Sequence, residues 1–173
     1  QYPELGTGPI STEPNISPEY YAREQEELFK KCWLNIGHLQ EVPKPGDYMV
    51  WDLAVVNASV LIVHGQDGQI RAFHNACTHR GNKVAEGRGN SKGFACGFHG
   101  WTFNTEGDLA FVPDEGQFFD LDKQCLGLKE INCDVWHGAI FINMMDTPRE
   151  TLAEWMSDYD VTLGEFPFEE MEL

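Results

Sequence analysis

The chain has 173 residues, 42% of them hydrophobic, with 28 acidic against 12 basic side chains and a formal charge of −16. That is enough for one domain with a real core, while so acidic a surface repels phosphate backbones and disfavours nucleic acid as a partner. No apolar run is long enough to cross a membrane, and 5 cysteines argue against a secreted disulfide scaffold and for a reducing cytoplasm.

The chain starts at Gln1, not Met, and Gln1-Tyr2-Pro3-Glu4 lacks the charged and apolar segments of a signal peptide. It therefore reads as a trimmed chain or a fragment. From Gln1 to Ile16, Gly, Pro, Ser and Thr are frequent, as in an arm with little structure of its own. Ser17-Pro18 then supplies an N-cap followed by proline at the first helical position. The spacing predicts a helix to about Lys31, with Tyr21, Leu28 and Cys32 on one side and Glu24, Glu26 and Glu27 towards water. Residues 1–32 form an N-terminal arm and helix.

From Trp33 to about Asn143 short β-rich runs alternate with Gly, Pro, Asn and Asp. Strands are predicted at Asp47 to Leu53 and Ser59 to His64, then, after a turn at Gln66-Asp67-Gly68, at Ile70 to His74. Trp101 to Phe103 and Leu109 to Phe111 flank a turn at Glu106-Gly107-Asp108. Leu128 to Val135 and Ala139 to Asn143 flank Trp136-His137-Gly138. Residues 33–145 thus read as a mainly β domain, an antiparallel sandwich or barrel. Thr147-Pro148-Arg149-Glu150 matches a capping box and predicts a short helix to about Met156. The tail from Asp158 to Leu173 is acidic and without clear period. Residues 146–173 are read as a short helix and acidic tail leading towards a further, catalytic domain.

Two clusters carry chemistry. Cys77-Thr78-His79-Arg80-Gly81 and Cys96-Gly97-Phe98-His99-Gly100-Trp101 form Cys-x-His, sixteen residues, then Cys-x2-His. A glycine follows closely in each, where tight turns need it. Two such loops at hairpin tips can clamp a flat diiron cluster, two thiolates on one iron and two imidazoles on the other, which is the Rieske arrangement. A structural Cys2His2 zinc module would use the same ligand types, although zinc sites more often pair Cys-x2-4-Cys with His-x3-5-His.

These motifs resemble the Rieske [2Fe–2S] domain of ring-hydroxylating oxygenase α subunits. Trp33 with Gly37-His38, Pro45-Gly46-Asp47-Tyr48, and Val135-Trp136-His137-Gly138 before Ile140-Phe141-Ile142-Asn143 extend the likeness from about Ser17 to Asn143. The resemblance implies that Cys77, His79, Cys96 and His99 hold the cluster, with Arg80, Gly81, Gly100 and Trp101 around it. It implies a mononuclear Fe(II) in a C-terminal domain, an electron-donating reductase or ferredoxin, a parent that is a homotrimer or a trimer with small subunits, and hydroxylation of a substrate, commonly aromatic, with O2. In the family an Asp of the neighbouring subunit bridges one cluster His to the mononuclear iron site. His99 matches that His by position and is the candidate electron exit. A free-standing Rieske ferredoxin is the alternative role.

Respiratory Rieske proteins carry an additional Cys in each loop, joined as a disulfide, where this chain has Asn82 and Phe98. They also place Ser and Tyr hydroxyls near the sulfurs, where this chain has Trp101 and Phe103. Fewer donors stabilise the reduced cluster less, which implies a potential of about −150 mV rather than about +300 mV.

Arg80, Lys83, Arg88 and Lys92 form a basic island on an acidic chain. The segment is either a solvated loop or a docking surface for an acidic electron donor, with Lys83, Arg88 and Lys92 as its contacts. His74 and His79 have the His-x4-His spacing of a mononuclear iron site, but His79 is claimed by the cluster. His38, His64 and His137 read as structural. Cys32, Cys125 and Cys133 read as small buried apolar residues. Trp101 is expected to pack over the cluster; Trp33, Trp51, Trp136 and Trp155 read as core or interface.

Overall fold

The computed structural model describes residues 4, 6–164, 166–168 and 171. The remainder of the predicted arm and acidic tail lies outside them. Two short helices, α1 (Glu13–Ile16) and α2 (Pro18–Glu24), lead in. The arm is thus less featureless than its composition suggests, since α1 supplies one turn within it. The Ser17 hydroxyl accepts from the Tyr20 N–H and caps α2, as predicted. The helix continues as a π-helical segment, Gln25–Phe29, in place of the regular α-helix expected to Lys31. Its predicted apolar side faces outwards, with Tyr21 42% and Leu28 50% exposed.

Ten strands follow: β1 (Leu34–His38), β2 (Asp47–Leu53), β3 (Ala58–His64), β4 (Ile70–His74), β5 (Arg88–Asn90), β6 (Gly93–Ala95), β7 (Thr102–Asn104), β8 (Leu109–Phe111), β9 (Glu130–Trp136) and β10 (Ala139–Asn143). They make a seven-stranded sheet in the order β1-β10-β9-β4-β3-β2-β5 and a three-stranded sheet β6-β7-β8. All pairings are antiparallel, so the predicted antiparallel β fold holds. The hairpin β9–β10 turns through His137 and Gly138, both at positive φ, the geometry that follows a right-twisted strand pair.

β3 is buried on both faces and sorts its side chains by period two. Val60 and Ile62 enter one core with Ile36, Met49, Ala72, Ile131, Ile140 and Ile142. Leu61 and Val63 enter a second, with Phe73, Phe94, Phe103 and Leu109. The first core gathers residues from β1 and from β2, near opposite ends of the strand order, so the large sheet must curl. Gly37 on β1 is where this closes: a Cβ there would lie 2.5 Å from Met49 Cε. The second core lies between the two sheets, and it contains Cys77 and Cys96.

The last helix, α3 (Leu152–Leu163), starts later and runs further than predicted. Its capping box is Thr151 with Glu154, not Thr147 with Glu150. The later start puts Leu152 and Met156, four residues apart, against Trp33 and Phe141, and the Glu150 carbonyl is already taken by the Trp33 indole at 3.1 Å. Burial of that face decides between two boxes of equal local quality. The Thr151 N–H and hydroxyl hold the Glu154 carboxyl below its ordinary value. Thr151→Ala is expected to cost about 1 kcal/mol of stability, read from the urea midpoint.

Candidate metal centre

The second candidate ligand loop is the tip of the β6–β7 hairpin, but the first crosses between β4 and β5, which do not pair with each other, so the expected pair of hairpin tips is met by one loop only. Their backbones follow one pattern. In the first, the Cys77 N–H donates to the Asn82 carbonyl at 2.8 Å and the Gly81 N–H to the Cys77 carbonyl at 2.7 Å. In the second, the Cys96 N–H donates to the Trp101 carbonyl at 2.8 Å and the Gly100 N–H to the Cys96 carbonyl at 2.9 Å. Each glycine stands four residues after its cysteine at φ +73°, the left-handed conformation that strains any other residue. Cys-x-His and Cys-x2-His are therefore one loop with the imidazole placed one step apart.

The same correspondence governs the sulfurs. The N–H groups of His79 and Arg80 point at Cys77, and those of Phe98 and His99 at Cys96. The two thiols are close enough to act on each other's charge, and both residues are 3% exposed. Burial pushes the Cys77 thiol up. Burial also pushes at Cys96, but the Phe98 and His99 N–H groups, with Cys77 and Asn82, outweigh it and leave that thiol below its ordinary value. Such donors favour a thiolate over a thiol.

The imidazoles of His79 and His99 meet with ring centroids 4.6 Å apart. His79 Nδ1 is buried and has no hydrogen-bond partner, alone in this among the described residues. A buried ring nitrogen without a partner is costly, unless it is a ligand atom. Burial, His99 and Arg80 together hold His79 below the ordinary imidazole value, in the neutral form a metal requires. Among the described residues no three His, Cys, Asp or Glu converge on one metal position. A diiron cluster, with two protein ligands on each iron, requires no such convergence; a single tetrahedral zinc requires four donors around one point. Two thiols side by side, two imidazoles together and an orphaned Nδ1 fit a Cys2His2-ligated [2Fe–2S] group.

A family model for the Rieske [2Fe-2S] domain matches residues 32–130. The chain belongs to the Rieske family. It is 39% identical over 144 residues to the large oxygenase component of the naphthalene 1,2-dioxygenase system of Pseudomonas aeruginosa, covering 81% of this chain and 31% of the relative. It is 36% identical over 166 residues to the biphenyl 2,3-dioxygenase subunit alpha of Rhodococcus jostii, covering 94% of this chain and 34% of that one. Among solved structures, naphthalene 1,2-dioxygenase bound to phenanthrene aligns with a TM-score of 0.77 at 35% identity, over 86% of this chain and 33% of the other. The chain spans about a third of the length of these relatives.

The other predicted residues of this Rieske domain fall as follows. Trp101 is 4% exposed and stacks on His79, with ring centroids 4.8 Å apart and planes 10° apart. Gly100 lies against Pro113, where a Cβ would meet Cγ at 3.0 Å. Arg80 and Lys92 are exposed. Lys83 binds both Asp52 carboxylate oxygens at 2.8 Å. Arg88 pairs with Glu41 at 2.7 Å and lies over the Trp51 ring. The basic island is therefore partly matched by acids brought in from distant segments.

His38, His64 and His137 each have a local role: the first caps a 3-10 turn, the second bonds the Val42 carbonyl, and the third lies 3.4 Å from Asp160 and stacks on Phe168. The reading of Cys32, Cys125 and Cys133 as buried needs correction. Cys125 is exposed, with Sγ 3.2 Å from an Asp122 carboxylate oxygen, and Cys32 is half-buried. Cys133 is half-buried too, and desolvation still pushes its thiol up to about 12.

Sequence reasoning did not single out Asn75 or the donor role of Asn82. Asn75, 2% exposed, accepts from the Val84 and Ala85 N–H groups and donates to Ser59 Oγ and the Ala85 carbonyl. It closes the base of the first loop, and every bond it makes is to a residue at least nine positions away. Asn82 Nδ2 donates to Cys96 Sγ at 3.8 Å. The only local signal for either was an amide flanking a cysteine loop.

Proposed function

We propose that Cys77, His79, Cys96 and His99 hold the cluster and that the chain is the electron-relay domain of a multicomponent oxygenase. It takes single electrons from a reductase or ferredoxin and hands them to a mononuclear non-haem iron in a catalytic domain following residues 146–173. There an aromatic substrate is hydroxylated with O2. The observation that carries this reading is the pair of matching loops, which set two buried thiols side by side and two imidazoles together with one Nδ1 orphaned. When bound, the [2Fe–2S] group supplies a reversible one-electron couple.

The chain's own residues do the rest. Backbone N–H groups on both sulfurs stabilise negative charge there. Trp101 keeps water from the His79 side. His99, exposed at the tip of the second loop, is the electron exit towards the partner iron. Arg80, Lys83, Arg88 and Lys92 offer an approaching acidic donor a basic face; the Lys83–Asp52 pair is exposed, of the kind that contributes little and exchanges readily, while Arg88 is held by the largely buried Glu41 carboxylate. The parent acts as a cytoplasmic homotrimer.

The test is EPR on the dithionite-reduced protein, with iron and zinc analysis and a redox titration. The expected result is a rhombic signal with average g below that of all-cysteine clusters, and a midpoint near about −150 mV. Stoichiometric zinc in a silent, anaerobically prepared sample would overturn the relay reading in favour of a structural zinc module. Fast shuttling of electrons by the chain between a reductase and a separate oxygenase would instead identify a free-standing ferredoxin.

A further inference from the structure

The position that follows each loop's glycine is Asn82 in the first loop and Trp101 in the second. Each accepts the N–H of its own loop's cysteine through its carbonyl. Each then sends its side chain across to a ligand of the other loop: Asn82 Nδ2 to Cys96 Sγ at 3.8 Å, and the Trp101 ring onto the His79 imidazole at 4.8 Å. The contacts are reciprocal. Both residues are also tied down at the far side, Asn82 to the Lys83 carbonyl at 2.9 Å and Trp101 within the core beneath the loops, with Phe118 edge-on to it.

We propose that Asn82 and Trp101 are positioning residues that form a non-covalent brace, holding the two ligand loops in register where no disulfide joins them. Neither residue is a ligand; each acts through a ligand of the opposite loop. An aromatic stack fixes the plane of an imidazole without engaging either of its nitrogens, so Trp101 orients His79 and leaves Nδ1 available. An amide N–H on a thiolate sulfur both restrains that side chain and favours the reduced state of whatever the sulfur binds. The two contacts act in parallel on one joint. Losing either leaves the loops tied by the other, and losing both frees them.

This inference rests on the relay reading, and the experiment separates the two. The full chain, loaded with its cluster, is prepared as wild type, Asn82→Ala, Trp101→Leu, Trp101→Phe and the Asn82→Ala/Trp101→Leu double variant. Iron loss to a chelator is followed anaerobically by visible circular dichroism. The midpoint potential and the imidazole nitrogen hyperfine couplings are measured on the same samples. Trp101→Leu is expected to lose iron roughly fivefold faster, the equivalent of one aromatic contact, with altered nitrogen couplings that Trp101→Phe restores. Asn82→Ala, at an exposed position, shifts the midpoint to more negative values. The double variant loses iron faster than the product of the two single effects.

A double variant no faster than that product, or wild-type nitrogen couplings in Trp101→Leu, would overturn the brace. Should Trp101→Leu not fold, a wild-type midpoint in Asn82→Ala overturns it alone. A wild-type chain without the rhombic signal would overturn the relay reading and the brace together.

Discussion

Cys96→Ala is expected to leave the protein with no rhombic EPR signal and no stoichiometric iron. The reason is the ligand count. A [2Fe–2S] group held by four side chains loses half the protein ligands of one iron when one thiolate goes, and alanine offers no donor to replace it. The damage is also local and structural. Cys96 is 3% exposed within the core between the sheets, and the Phe98 and His99 N–H groups that point at its sulfur would lose their acceptor. His79→Ala is expected to have the same outcome, since it removes the imidazole whose Nδ1 has no other partner. Cys32→Ala, Cys125→Ala and Cys133→Ala should keep wild-type iron content and signal, because their thiols are turned elsewhere: Cys32 meets the Phe29 carbonyl, Cys133 packs on the other core, and Cys125 meets Asp122 although the next residue, Leu126, accepts from Thr78 of the first loop. A Cys96→Ala protein that retained both would show that the ligand set is wrong. Loss of signal in Cys125→Ala would show the same from the other side.

Phe103→Ala is the substitution expected to cost most in stability, about 3–5 kcal/mol. That is a large part of the roughly 5–15 kcal/mol a domain has to lose. Phe103 is fully buried at the centre of β7, in the same packed cluster as Leu61 and Phe73 of the large sheet, Phe94 of the small one, and both cysteines. Removing its ring opens a void between the sheets where neighbours on both sides are fixed by strand pairing, so collapse is limited. The urea midpoint of the anaerobic, cluster-loaded protein should fall sharply, and release of iron should accompany unfolding. Phe119→Ala is the control: at 97% exposure its truncation should move stability by no more than about 0.5 kcal/mol.

Much of the β framework could be read from residue pattern, because many of its strands carry apolar side chains between turn residues. Asp47–Leu53, Ile70–His74, Leu109–Phe111 and Ala139–Asn143 appear with the predicted bounds. The strands that escaped notice are those whose stability comes from partners. β5 is Arg88-Gly89-Asn90, with no β-former, and it exists because it pairs with Asp47, Tyr48 and Met49. β6 is Gly93-Phe94-Ala95, held by β7. β1 contains Asn35 and Gly37 and pairs irregularly with β10.

The start of α3 was misplaced for a related reason. Two Thr-x-x-Glu boxes compete four residues apart, and only the packing of Leu152 and Met156 on Trp33 and Phe141 separates them. At the site, the four proposed donors stood out by spacing and residue type. What orients them did not. Asn75, Asn82 and the stacking of Trp101 act across gaps that no local pattern spans, and the acids facing Lys83 and Arg88 come from residues 52 and 41.

The one-step offset of the imidazole between two otherwise matching loops has a consequence for direction. A site built from two identical hairpins would be two-fold symmetric, and its two imidazoles would be equivalent doors. Moving one histidine by a single residue breaks that symmetry. His79 is closed under Trp101, while His99 stands in solvent beside Phe98, their ring centroids 3.9 Å apart. The centre is therefore more open at His99, which is exposed, than at His79, which is half-buried. Under the proposed relay role, a protein that docks on this open side meets the exposed imidazole first, which would polarise the route of charge in the fold of the isolated chain.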